Sequence, residues 1–105
     1  MKSFYGGTYI GREILEENGI YHPIRLEYYK IENEESNKLF YGIEVVKTEY
    51  KETVPKVEKN EVKNITMNET EIIEILEKFK RGTVMPDFLE EMVEEQFQST
   101  KKLCC

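Results

Sequence analysis

Hydrophobic residues recur along this chain at two different periods, and the point where the period changes divides it. Up to about Ile65 the period is two. Tyr9, Ile10, Ile14 and Leu15 lie in a β-branched and aromatic run that ends at Glu17-Asn18-Gly19, and Asn-Gly accepts the positive φ values that a tight hairpin demands. The pattern predicts a hairpin from about Thr8 to about Glu32. In its second strand Ile20, Ile24, Leu26 and Tyr28 share one parity while Arg25, Glu27 and Tyr29 take the other, the alternation of a sheet with one buried face. Pro23 lacks a ladder donor, which predicts an edge or a bulge at the start of that strand.

The polar stretch Asn33-Glu34-Glu35-Ser36-Asn37 predicts a five-residue turn. From Lys38 to Tyr50 follows the clearest strand, with Leu39, Tyr41, Ile43 and Val45 at period two. Phe40 and Val46 occupy its other parity, so part of its second face is expected to be covered as well. Between Lys51 and Lys63 the valines Val54, Val57 and Val62 are scattered among charges around Pro55, which predicts a twisted or edge strand reaching Ile65.

Beyond Ile65 the period becomes helical. Asn68 followed by Glu71 has the form of a capping box, and Met67 is placed to staple onto Ile72. Ile72, Ile73, Ile75, Leu76 and Phe79 form a broad apolar stripe, Lys78, Lys80 and Arg81 oppose the negative end of the helix dipole, and Gly82 supplies the stop. Pro86 then fits the first position of a second helix with Asp87 in its first turn. That helix carries Phe88, Leu89, Met92, Val93 and Phe97 on one side and Glu90, Glu91, Glu94 and Glu95 on the other. The short link from Gly82 to Met85 makes the helices neighbours, angled or antiparallel. Strands followed by helices, without βαβ alternation, give an α+β class: an antiparallel sheet of three to four strands followed by two C-terminal helices packed on one face. Residues 1–97 form a single domain, and 98–105, without periodicity, read as a flexible tail.

Composition narrows the chemistry. The 105 residues carry 21 acidic and 15 basic side chains, a formal net charge of −6, which argues against direct nucleic-acid binding because phosphate contacts require a basic surface. No apolar run approaches the roughly 20 residues of a membrane span. His22 and Asp87 are the only histidine and the only aspartate, so the residue types that dominate general-base, triad and zinc chemistry are nearly missing. His22 lacks a partner at coordinating or catalytic spacing and reads as an ordinary strand residue. The glutamates of the second helix read as a solvated face in the absence of an EF-hand loop or a Glu-x-x-His motif. Tyr5-Gly6-Gly7 lacks both phosphate-loop spacings and reads as a turn into the first strand. No catalytic, cofactor-binding or metal-binding residue is expected, and no enzymatic activity.

Two features remain as candidates. Tyr28, Tyr29, Phe40, Tyr41 and Tyr50 cluster in the central strands. One parity belongs to the core, and Tyr29, Phe40 and Tyr50 are the candidate protein-binding surface, since exposed tyrosine offers large contact area at low entropic cost. Cys104 and Cys105, adjacent and terminal, cannot staple the fold, which fits a reducing cytoplasm, but could form a thiol or soft-metal site or an intermolecular disulfide.

Arg25-Leu26-Glu27-Tyr28-Tyr29, Tyr41-Gly42-Ile43-Glu44-Val45, Val62-Lys63-Asn64-Ile65-Thr66 and the stretch from Val84-Met85-Pro86-Asp87 through Glu94-Glu95 resemble a family of small uncharacterised clostridial proteins, a domain of unknown function. The likeness runs from about Tyr9 to Gln96. It departs from the family pattern at Met85, where a threonine commonly precedes the proline, and at the Cys-Cys tail. The resemblance implies a cytoplasmic α+β domain and transfers no site residues. Taken together, the readings favour a small acidic, non-catalytic protein-binding or regulatory module that holds another protein or a second copy of itself. The alternatives are an acidic inhibitor that mimics nucleic-acid charge and a thiol or metal role for the tail.

Overall fold

Every strand of the sheet hydrogen-bonds to its neighbour in sequence. β1 (Lys2–Ile10), β2 (Ile24–Glu35), β3 (Lys38–Glu49) and β4 (Lys56–Thr66) form one antiparallel sheet in the order β1-β2-β3-β4. Helix α1 (Glu69–Arg81) follows, then a 3-10 turn (Pro86–Phe88) and helix α2 (Leu89–Cys104). This computed structural model describes residues 1–11, 22–51 and 53–104, with 97–104 described by their backbone alone. The α+β class, the antiparallel sheet and the two C-terminal helices on one face are as the periodicity predicts.

The period-two parity decides which face the helices cover. Ile24, Leu26 and Tyr28 of β2 and Tyr41, Ile43 and Val45 of β3 are buried together with Ile72, Ile75, Leu76 and Phe79 of α1 and Leu89 and Val93 of α2. Each such side chain removed from water contributes about 1.5–3 kcal/mol before the entropy of ordering it. Helix α1 lies across all four strands, whereas α2 packs against β4. Two polar groups point into this layer with partners. The buried Tyr28 hydroxyl donates to the Val84 carbonyl at 2.9 Å, and Asn60 Nδ2 donates to the Pro86 carbonyl at 3.2 Å. Both bonds tie the sheet to the link between the helices.

Several elements depart from the sequence reading. The turn after β2 takes two residues rather than five: Ser36 and Asn37, at φ 52° and 64°, make a tight hairpin, and Asn33, Glu34 and Glu35 pair with Phe40, Leu39 and Lys38. Two successive positive φ values match the right-handed twist of the strands, so polarity at 33–35 marks solvated strand ends. The first strand begins at Lys2 rather than Thr8 and runs through Tyr5-Gly6-Gly7 instead of turning there. The Asn18-Gly19 turn, with Ile14, Leu15 and Ile20, lies outside the described residues. Strand β2 starts directly after Pro23, whose carbonyl accepts from Tyr50 N at 2.9 Å. The proline therefore precedes the inner strand rather than weakening it.

At α1 the capping box is half formed. Asn68 Oδ1 accepts from Glu71 N at 3.2 Å, but the Asn68 N–H donates to Thr66 Oγ1 at 3.1 Å, and Met67 is 54% exposed rather than stapled down. At the other end Gly82 keeps a right-handed φ of −81°, and the left-handed residue is Thr83, φ 49°. Thr83 N reaches the Lys80 carbonyl and Val84 N the Phe79 carbonyl, the pair of bonds that closes a Schellman motif. Pro86 opens the second helical segment as expected, but Phe88 is 57% exposed instead of buried, because the 3-10 turn rotates it away from the stripe begun by Leu89. Helix α2 continues past residue 97 to Cys104.

Candidate protein-binding face

The side of the sheet opposite the helices is built from the second parity of each strand. A bulge in β1 sets which residues reach it. Phe4 pairs with Tyr29 and Gly6 with Tyr28, leaving Tyr5 as an extra residue, and an extra residue inverts the parity that follows. Phe4, Gly7 and Tyr9 therefore all point to the open face although their numbers do not alternate. Tyr5 points to the helix side, where its hydroxyl donates to Glu77 Oε2 and its ring lies 5.9 Å from Lys80 Nζ. A second irregularity, between Tyr41 and Ile43 on β3, brings β4 close over Gly42: a Cβ there would lie 2.4 Å from the Val62 carbonyl oxygen. The kinked β4 segment carries Asn64 at φ 56°, and Asn64 Oδ1 accepts from Asn33 Nδ2 at 3.0 Å, joining β4 to β2 past the intervening strand.

The centre of this face is aromatic and charge-laced. The Phe4 and Tyr29 rings meet edge to face, centroids 5.6 Å apart at 71°. Lys2 Nζ sits 5.6 Å from the Tyr29 centroid and 2.7 Å from Glu44 Oε1. Glu44 is 4% exposed, the one buried charged residue among those described. Its hydrogen bond to Lys2 holds the ammonium's pKa above the ordinary lysine value, and that bond compensates the desolvation of the carboxylate. Glu44 is also the cross-strand neighbour of Glu61, and Lys2, Glu44, Lys59, Asn60 and Glu61 line a shallow recess of about 340 Å³. The Tyr29 hydroxyl donates to Glu27 Oε2 at 2.9 Å, which together with burial raises its pKa.

Toward the Tyr9 end of β1 the surface opens into a depression of about 460 Å³ lined, among the described residues, by Tyr9, Arg25 and Tyr50. Tyr9 is 62% and Tyr50 39% exposed. Arg25 is exposed and makes no ion pair among the described residues.

Of the three residues singled out in the sequence, Tyr29 sits half-buried at the aromatic centre. Phe40 is half-buried on the same face beside the Ser36-Asn37 turn, and Tyr50 follows the opposite end of β3. About ten residues of extended chain separate Phe40 from Tyr50, roughly 33 Å. The structure thus spreads them along β3 instead of gathering them in one spot. Sequence reasoning missed Phe4, Tyr9 and the Lys2–Glu44 pair. Only the glycine pair at Gly6-Gly7 signals the bulge that brings the first two onto the face.

The other candidates fall elsewhere. His22 is half-buried without a hydrogen-bond partner among the described residues, and Glu90, Glu91, Glu94 and Glu95 are exposed along α2. No three His, Cys, Asp or Glu side chains converge as a metal site among the described residues. Cys104 ends α2 and Cys105 lies outside the described residues, so the thiol pair has no described geometry. No helix among the described residues is long and apolar enough to cross a membrane.

A meander sheet with both helices on one face and an aromatic face that no described element covers defines a structural class before it defines a family. Residues 12–99 match the model of a family of unknown function (DUF6514), and the chain belongs to that family. No curated protein and no solved structure matches it.

Proposed function

We propose that this protein is a small non-catalytic protein-binding or regulatory module whose helix-free sheet face holds a protein partner. The observation that carries the reading is the contrast between the two faces. One is covered by α1 and α2, while the other leaves Phe4 57%, Tyr9 62% and Val57 59% exposed around the Phe4–Tyr29 pair. Exposed aromatics ringed by charge are the composition of protein interfaces, where rigid rings supply contact area and the charged rim sets register. Lys2, Arg25 and Lys59 interleave with Glu27, Glu44 and Glu61 on this face, which favours a protein surface of mixed charge over nucleic-acid mimicry by an unbroken carboxylate stripe. The setting we assign is the cytoplasm of a clostridial host. Abundant Lys, Glu and Ile beside only Arg12, Arg25 and Arg81, and cysteines confined to the C-terminal end, support it.

The test uses the full chain in parallel captures from its native host. Phe40→Asp with Val57→Asp changes the face away from β1, and Glu90→Lys with Glu94→Lys changes the exposed side of α2. The reading expects one partner held by the wild type and the α2 variant and lost by the face variant. A partner retained by the face variant and lost by the α2 variant contradicts it.

A further inference from the structure

The two edges of the sheet are guarded very differently. Strand β4 carries Lys56, Glu58, Lys59, Glu61 and Lys63 along its edge, the dense charge by which natural sheets keep their edges from pairing. Strand β1 has no charged residue from Ser3 to Ile10. Its middle is Gly6-Gly7, where the strand has no side chain of its own to shield the outward backbone N–H and C=O groups. Glycines within a strand mark places where another backbone comes close.

We propose that β1 pairs antiparallel with β1 of a second copy of this chain, giving a two-fold dimer with a continuous eight-stranded sheet. The bulge fixes a self-consistent register. With Gly7 facing Gly7 of the second copy on the axis, Thr8 faces Gly6, and past the extra residue Tyr5, Tyr9 faces Phe4. Every facing pair then shares a sheet face: Tyr9 and Phe4 on the open side, Thr8 and Gly6 on the helix side. The same stepping over Tyr5 already occurs where β1 pairs with β2. A two-fold axis places each aromatic pair twice, and no side chain meets itself at the centre.

The uncharged stretch from Ser3 to Ile10 favours a second copy, whose own Ser3 to Ile10 brings no charged residue to the pairing. Of the cations beside it, Lys2 is paired with Glu44, and Lys80, on the helix side, has its Nζ 5.9 Å from the Tyr5 ring. A nine-residue strand is about 30 Å long, and the molecule is 18 Å through its thinnest axis. Pairing therefore covers on the order of 500 Å² per copy, below the ~800 Å² of a standard interface. The dimer is accordingly weak and concentration-dependent. It rests on the β1 edge and shares Phe4 and Tyr9 with the open face proposed to hold a protein partner, so the two are told apart at Phe40 and Val57, which lie on β3 and β4.

Sedimentation equilibrium of the full chain over a wide concentration range tests this, against the 12.5 kDa of one chain. The wild type should approach twice that mass as concentration rises. Phe4→Glu with Tyr9→Glu sets like charges opposite each other twice and should raise the dissociation constant at least about tenfold. Phe4→Lys with Tyr9→Glu removes the same rings but sets opposite charges face to face, and should dimerise more tightly than the all-glutamate variant. Circular dichroism melts confirm that each variant is folded. A wild type that stays at the mass of one chain, or two double variants that associate equally, overturns the proposal, and Phe40→Asp with Val57→Asp should leave the dimer intact.

Discussion

Gly42 is the position where a single atom decides the most. It is buried opposite the β4 irregularity, and an added Cβ would meet the Val62 carbonyl oxygen at 2.4 Å and Lys63 Cα at 2.9 Å. Both are backbone atoms, so β4 itself must shift. Gly42→Ala should destabilise the fold by about 2–3 kcal/mol, the cost of overpacking with backbone displacement. A fall in the urea midpoint at unchanged slope measures it, and a midpoint within a few tenths of a kcal/mol of wild type would show that β4 yields freely. The reading of Gly42 from sequence was out of reach, because close approach depends on a strand twenty residues further on. Tyr28 behaves differently: its alternation with Leu26 places it in the core unaided. Its hydroxyl partner, the Val84 carbonyl, becomes visible only when the link between the helices is folded back onto the sheet.

At the scale of elements, the strongly periodic ones were legible. Strands β2 and β3, the apolar stripe of α1 and the proline opening of the second helical segment follow from local chemistry. Strand β1 was displaced because its own signal is weak: two glycines interrupt it, and its alternation breaks at the bulge. Besides the packing of Tyr5 and Ile10 on the core, the Tyr5 hydroxyl on Glu77 ties β1 to the helix layer, a bond absent from any sequence pattern.

That bond also gives β1 a dependence on pH. It lowers the Glu77 pKa from 4.5, with Arg81 helping, and raises the Tyr5 pKa from 10.0. A depressed carboxylate pKa contributes stability above 4.5 that is lost as pH falls through the folded value. A raised phenol pKa contributes stability below 10.0 that is lost as pH rises through the folded value. The melting difference between wild type and Tyr5→Phe should therefore be greatest at neutral pH and shrink at both extremes, as thermal melts at acid, neutral and alkaline pH would record. A difference that is constant across the range contradicts this role.

For the whole molecule, the asymmetry of the sheet is the central fact. The helices consume one face, and the other combines an edge-to-face aromatic pair, a buried carboxylate held by Lys2, and an exposed arginine between two exposed tyrosines. The sequence could announce that tyrosines of the second parity were spare, as it did for Tyr29. It could not show that a bulge in β1 adds Phe4 and Tyr9 to them, because parity read from residue numbers sends those two to opposite sides.

The most direct test of this face as a protein-binding surface is position-resolved photocrosslinking in the native host. A benzoylphenylalanine would be placed in turn at Phe40, Val57 and the exposed Glu91 of α2. The account predicts a light-dependent adduct of one defined mass from positions 40 and 57 and none from position 91. An adduct from position 91 with none from 40 or 57 would contradict it.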